Sequence, residues 1–155
     1  MTSDQPHTRT VSVHQAGQRA RERRELLHAA IVDLDAALEG PEDDEAAWCQ
    51  AVRSSLTRMH ATLEAHAQEA EASDGLLGRI LAEEPVFGPR VAAMKREHEE
   101  LIRHSAELME RCCNPMTPDE LHEQAAGLRD EVERHRHRAA DLLFDAYELD
   151  ISAVD

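Results

Sequence analysis

Residues 117–150 read TPDELHEQAAGLRDEVERHRHRAADLLFDAYELD, and this stretch predicts one long amphipathic helix. Thr117 lies just before Pro118 and three residues before Glu120, which is the spacing of a capping box with proline at the first helical position. Beyond it, apolar residues recur at alternating spacings of three and four, so they share one helix face. His135 occupies one position of that face, whereas His137 lies about 200° around the helix. The stretch therefore predicts a buried histidine within an apolar seam.

Glycine and proline divide the preceding chain into further predicted helices. The first ends at Leu38, before Gly40-Pro41, and the second runs from the acidic cluster 42–45 to about Ala72. The sequence LLGRILAEE at 76–84 predicts a short extra helical segment, which Pro85 closes. A third long helix opens at 88–89 and ends near Cys112.

The composition favours helices throughout. Aromatic residues make up 3% of the chain, whereas strands depend on aromatic and β-branched side chains. We predict an all-α protein: an up-down-up-down four-helix bundle with a short extra helical segment between helices 2 and 3. Residues 1–15 are predicted to form a mobile polar N-terminal tail, and residues 16–155 to form the bundle as one domain.

The charge and the cysteine count limit the classes of function. The 17 basic and 32 acidic residues give a net charge of -15, which lacks the basic field that nucleic-acid binders need. No apolar run approaches the roughly 20 residues of a membrane span, and MTSDQPHTRT lacks a signal-peptide core. Three cysteines without framework spacing predict reduced thiols. We expect a cytoplasmic monomer or weak oligomer, without a nucleic-acid or membrane partner.

Three predicted inward faces each contain one histidine among apolar residues: His66, His98 and His135. Burying an unpaired polar ring costs roughly 1–3 kcal/mol, a cost that leucine or alanine would avoid. The distances of the three residues from their connecting loops place them at a similar level. Because neutral imidazole is a common metal ligand, the pattern predicts a metal site.

The first helix offers a candidate fourth ligand. His28 lies beside the apolar seam at Leu27 and turns inward if that face is wide, whereas His14 is the alternative if the helix extends further. His60, His104 and His137 flank their seams and are expected on the surface.

One histidine on each of four helices, the EHEEL at 97–101 and the Leu143-Phe144 pair after His135 together resemble the hemerythrin-like, or HHE cation-binding, domain family. The likeness covers about residues 20–150. It implies a non-haem iron centre of one or two ions, used for oxygen carriage, for sensing or against oxidative stress. The ligands implied by the resemblance are His28, His66, His98 and His135.

The chain departs from that family where bridging carboxylates are expected, since it has Ala70, Ala139 and Ala140 at those positions. Glu69, three residues after His66, is one acidic neighbour within reach of the same helix face. Glu71, five residues after His66, and Asp141, six residues after the last seam histidine, are the others. A rotated last helix would instead pair Asp141 with His137.

Small side chains at Ala70 and Ala139 leave space beside the imidazoles, which favours an ion with open coordination positions that binds or senses O2, peroxide or NO. Iron is implied by the resemblance, although imidazoles suit zinc, copper or nickel equally. The alternative function is a metal-free bundle that acts as an interaction or scaffold module. A metal-dependent enzyme is a third candidate, for which no general base with an orienting partner is recognisable.

Overall fold

The structure, a computed structural model, describes the backbone of residues 6–40, 43–112 and 114–152, with the side chains of 17–40, 43–112 and 114–146. These residues form the predicted all-α bundle, with no strand among them. The helices are α1 (Pro6–Leu38), α2 (Glu45–Glu71), α3 (Leu76–Glu83), α4 (Gly88–Arg111) and α5 (Pro118–Ser152), with a 3₁₀ turn at Pro85–Phe87 before α4. The four long helices form a closed ring of contacts in the order α1, α2, α4, α5, and the short α3 packs against α2 and α4.

The N-terminal helix is longer than predicted. It begins at Pro6 and so includes residues 6–15 of the segment predicted as a tail. Proline is favoured at a first helical position, and no glycine or proline lies between Pro6 and Gly17, so nothing in this stretch interrupts the helix. Residues 1–5 lie outside the described residues, and the mobility of the segment stays a prediction.

The apolar core forms two clusters along the bundle. The larger cluster includes Leu63 of α2, Leu101 of α4 and Val132 of α5. The smaller cluster includes Met94 of α4, with Ala70 of α2 and Ala139 of α5 packed against it. Between the two clusters each of these helices turns a histidine inward: His66, His98 and His135. The three helices therefore place one layer of buried histidines between two apolar clusters.

The predicted capping box opens α5. The backbone N–H of Thr117 donates to Glu120 Oε2 at 2.9 Å, and the backbone N–H of Glu120 donates to Thr117 Oγ1 at 3.3 Å. The prediction is confirmed. These two bonds fix where α5 begins, and thereby the level at which His135 enters the bundle.

Removing this cap should destabilise the fold measurably. Thr117→Ala is expected to cost about 1 kcal/mol, because it leaves a helix N–H without its acceptor, and to lower the thermal midpoint by roughly 2–4 °C. Circular dichroism at 222 nm would measure the midpoint. Thr57→Ala is the control, since the Thr57 hydroxyl only bonds back to the Arg53 carbonyl within α2. Equal losses in the two variants would contradict a capping role.

Two findings concern membrane-spanning helices and the cysteines. Within the described residues, none of the helices is both long and apolar enough to cross a membrane. Cys49 is buried and disulfide-bonded. The prediction of reduced thiols is therefore wrong at this residue.

Candidate metal centre

Three buried histidines meet inside the bundle. The exposed fractions are 8% for His66, 3% for His98 and 1% for His135. The ring centroid of His66 lies 5.1 Å from that of His98 and 5.5 Å from that of His135, and the last two are 4.7 Å apart. Each ring offers one nitrogen, and these three atoms all lie within 4.8 Å of one another. The predicted convergence of the three seam histidines at one level is confirmed. They are called the histidine triad below.

Two carboxylates fix the orientation of two rings of the histidine triad. Glu71 Oε1 lies 2.7 Å from His98 Nδ1, and Glu97 Oε2 lies 2.9 Å from His135 Nδ1. Each carboxylate accepts a hydrogen bond from Nδ1, so the ring nitrogen whose lone pair can bind a metal is Nε2. A carboxylate behind a histidine is the usual support of a metal-binding imidazole, because it sets the tautomer and makes the ring more basic.

The spacing of two Nε2 atoms fits a single ion. His135 Nε2 and His66 Nε2 are 3.4 Å apart. Two imidazole nitrogens on one tetrahedral ion, each about 2.0–2.1 Å from it, would be about 3.4 Å from each other. These two rings are thus already at the separation that a shared ion requires.

Burial keeps two rings of the triad, His66 and His135, in their metal-binding form. Burial, and then the neighbouring His98 and His135, lower the pKa of His66 from 6.5 to about 3. Burial also lowers the pKa of His135, against the opposing effect of its bond to Glu97. Both rings are therefore neutral near pH 7, the state in which imidazole binds metals.

His66 has one polar atom without a hydrogen bond. Its Nδ1 is buried and has no hydrogen-bond partner among the residues that the structure describes. Leaving a buried polar atom unpaired costs about 1–3 kcal/mol. Unlike His98 and His135, His66 has no carboxylate at its Nδ1 among the described residues, so this nitrogen can still form a hydrogen bond.

His28 of helix α1 does not join the triad. His28 is exposed, and its Nδ1 lies 3.4 Å from Arg136 Nη1 at the surface. The reason is the register of α1, which turns Leu27 and Ile31 into the core and leaves His28 on the outer shoulder. The side chain of His14 lies outside the described residues.

Neither Glu69 nor Asp141 belongs to the group of residues with metal-ligand spacing. Glu69 forms ion pairs with Arg23 and Arg19 of α1 instead. Asp141 is exposed, as is His137, which faces Glu133 on its own helix. The alternative with a rotated last helix is therefore not the arrangement found, since His135 is the inward residue.

The sequence predicted no role for Glu97, and it offered Glu71 only as a substitute for the missing carboxylate after His66. Glu71 lies five residues after His66, and Glu97 directly precedes His98. Each binds a histidine of a different helix, so spacing along one helix gave no indication of either contact. The one available signal was that both are acidic residues adjacent to the predicted seam.

The remaining inward-leaning histidines form separate contacts. His104 Nδ1 pairs with Glu131 at 3.0 Å, and His60 Nδ1 lies 2.8 Å from Ser105 Oγ, with Glu64 at 3.4 Å from its other nitrogen. Both are half-buried rather than fully on the surface. The Ser105, His60 and Glu64 arrangement has the residue types of a nucleophilic triad, but Ser105 is 0% exposed, so no substrate reaches its hydroxyl.

A cavity of about 50 Å³ lies beside the triad. His66 and His98 line it together with Ala70, Met94 and Ala139. Ala70 and Ala139 are the positions at which the sequence predicted free space. The space is present, and it adjoins two of the three imidazoles.

No family model matches the chain, and neither a curated protein nor a solved structure matches it. The hemerythrin-like resemblance therefore depends on the residues that suggested it, and the metal centre depends on its own geometry.

Proposed function

We propose that this chain is a metal-binding helical bundle of hemerythrin-like type, which holds one transition-metal ion through His66, His98 and His135. The observation that carries the proposal is the histidine triad itself: three buried imidazoles whose ligand nitrogens lie within 4.8 Å of one another. Between two apolar clusters, a shared cation is the most economical reason to bury three such rings together.

The carboxylates behind the triad supply the charge that a cation needs. A divalent ion in a protein interior loses its hydration, which is costly unless opposite charge is near. Glu71 and Glu97 place two carboxylates directly behind two of the imidazoles. Glu97 also forms an ion pair with Arg138 at 2.8 Å, so its charge is shared, whereas Glu71 has no cationic partner other than His98 among the described residues. This negative charge supports a metal site over a purely structural histidine cluster.

A single ion is favoured over two. Two ions held a few ångströms apart need bridging carboxylates, and the nearest candidates are engaged or exposed: Glu69 with Arg23, and Asp141 at the surface. Among the described residues, one group has the spacing of metal ligands. Iron is proposed from the family resemblance, while the ligand set suits zinc, copper or nickel as well.

Three protein ligands on a tetrahedral ion leave a fourth position open. The cavity beside His66 and His98 gives a small molecule room next to the ion. This supports a role in binding or sensing a small ligand such as O2, peroxide or NO, rather than a purely structural ion.

Metal analysis tests this proposal. Protein expressed in iron-supplemented medium, or refilled with Co²⁺ after chelation, is expected to hold about one ion per chain by elemental analysis, with a tetrahedral Co²⁺ optical spectrum. His135→Ala should abolish this binding, while His137→Ala, two residues away on the same helix, should retain it. Failure to hold any metal under every supplementation would refute the proposal and favour the metal-free scaffold.

Removing a supporting carboxylate should weaken metal binding without removing a ligand. Glu97→Gln is expected to reduce the affinity for Zn²⁺ by about 10- to 100-fold, because a neutral amide replaces the charged acceptor that raises the basicity of the His135 ring. Competition with a chromophoric chelator would measure the affinity.

Glu131→Gln is the matched control, since Glu131 makes the same kind of contact with His104 outside the triad. An equal loss of affinity in both variants would indicate a general charge effect and would contradict the role assigned to Glu97.

A further inference from the structure

The cavity beside the triad combines an apolar wall with a basic rim. Helices α2 to α5 supply buried or half-buried apolar side chains to it, among them Leu77, Ile80 and Leu142. Helix α1 supplies three arginines: Arg19, Arg23 and Arg24. The Arg19 side chain is 44% exposed and that of Arg23 is 16% exposed, so Arg19 lies where the cavity reaches solvent.

The arginine rim has the opposite sign to the protein as a whole. The chain has a net charge of -15, yet three arginines face only two acidic residues of the cavity lining, Glu69 and Asp74. A local positive rim on an acidic protein attracts small anions to one place on its surface. The ligand class that this rim selects is therefore anionic.

The ion pairs of these arginines indicate that the anionic ligand is a carboxylate. Arg23 and Arg19 already bind the Glu69 carboxylate, and Arg19 Nη1 also lies 3.8 Å from Asp74. Arg24 is half-buried and lines the same cavity, but has no ion pair among the residues that the structure describes. Guanidinium groups bind carboxylates through paired N–H donors. Arg24 thus has donors for one more carboxylate.

The size and the walls of the cavity limit the remainder of the ligand. A single water needs about 10–15 Å³ of such space, so a cavity of about 50 Å³ accepts about four or five non-hydrogen atoms. A sulfate or phosphate would place polar oxygens against the apolar wall without hydrogen bonds, which is unfavourable. A short alkyl group needs no hydrogen bonds and packs against this wall without that cost.

We propose that this cavity binds a short-chain carboxylate of the size of acetate or propionate, with its anionic group on Arg24 and its alkyl group against Leu77, Ile80 and Leu142. Because His66 and His98 line the same cavity, the bound molecule lies next to the histidine triad. The position of the ligand beside an ion rests on the proposed metal site, whereas the cavity and Arg24 do not depend on it.

Equilibrium dialysis with radiolabelled propionate at fixed ionic strength tests the proposal, on chelator-treated protein and on the same protein refilled with Co²⁺. Saturable binding at one site is expected. Arg24→Gln should weaken it at least tenfold, as expected for the loss of charged hydrogen bonds. Arg21→Gln, on the same helix but outside the cavity, should leave it unchanged, and propan-1-ol should not compete.

A second variant tests the cavity without altering its charge. Ala139→Leu fills the space while every arginine remains, so propionate binding should be lost. Absent or non-saturable binding, equal binding by Arg24→Gln, or competition by propan-1-ol would each overturn the proposal. The cobalt content of the same samples separates the two hypotheses: propionate binding that depends on Arg24 in a protein without cobalt refutes only the metal site, and cobalt binding without propionate binding refutes only the carboxylate site.

Discussion

Refilling chelator-treated protein with Zn²⁺ or Co²⁺ is expected to raise its thermal midpoint by about 5–10 °C. An ion that binds only the folded state at a free concentration 100 times its dissociation constant stabilises that state by about 2.7 kcal/mol. For a chain of this length each kcal/mol corresponds to roughly 2–4 °C. The stabilisation arises because the histidine triad exists only when α2, α4 and α5 are packed together. Differential scanning calorimetry with and without the ion would measure it.

The matched variants His98→Ala and His104→Ala identify where the ion acts. Both histidines are on α4, and both contact a carboxylate through Nδ1, but only His98 belongs to the triad. The thermal shift should disappear in His98→Ala and persist in His104→Ala. A shift of the same size in both variants would place the ion elsewhere on this acidic chain.

The metal-free protein is expected to lose stability steeply as the pH falls below 6.5. The pKa of His66 is lowered from 6.5 to about 3 in the folded state, so between these values the unfolded state binds the proton and the folded state does not. The contribution to stability is complete above pH 6.5 and declines as the pH falls towards 3. Each pH unit corresponds to about 1.4 kcal/mol, so this group alone contributes up to about 5 kcal/mol.

His66→Leu tests the assignment of this acid sensitivity. Leucine keeps a similar volume at a buried position and cannot be protonated. The variant should lie within about 1.5 kcal/mol of the unaltered chelator-treated protein at pH 8. At pH 4.5 it should be the more stable of the two, because the unaltered protein has by then lost about 3 kcal/mol through His66. Urea unfolding at the two pH values would decide, and parallel pH profiles would contradict the assignment.

The helices and the inward histidines were predictable from the sequence because they depend on geometry within one helix. A helix turns by a fixed angle per residue, so His135 and His137 cannot both face the core, and the apolar neighbours of His135 decide which one does. The same holds for His66 and His98 on their own helices. The capping box at Thr117 was equally local, since its two bonds join residues three apart.

Contacts between helices were not predictable in this way. The pairs Glu71–His98 and Glu97–His135 depend on how far two helices are rotated and shifted against each other. Those quantities result from the packing of many side chains at once, and not from any one spacing. The same reason explains His28, which the spacing placed on a shoulder and which packing turned outward.

The sequence by itself determined an all-α bundle with one histidine facing inward on each of three helices, because the period of a helix and the burial of its apolar face leave few alternatives. Only the tertiary structure decided what surrounds those histidines: two carboxylates behind them, His28 of α1 turned away from them, and arginines from α1 at the rim of a cavity beside Ala70 and Ala139. These features require the relative positions of separate helices, which the sum of packing contacts fixes and no local pattern in the chain encodes.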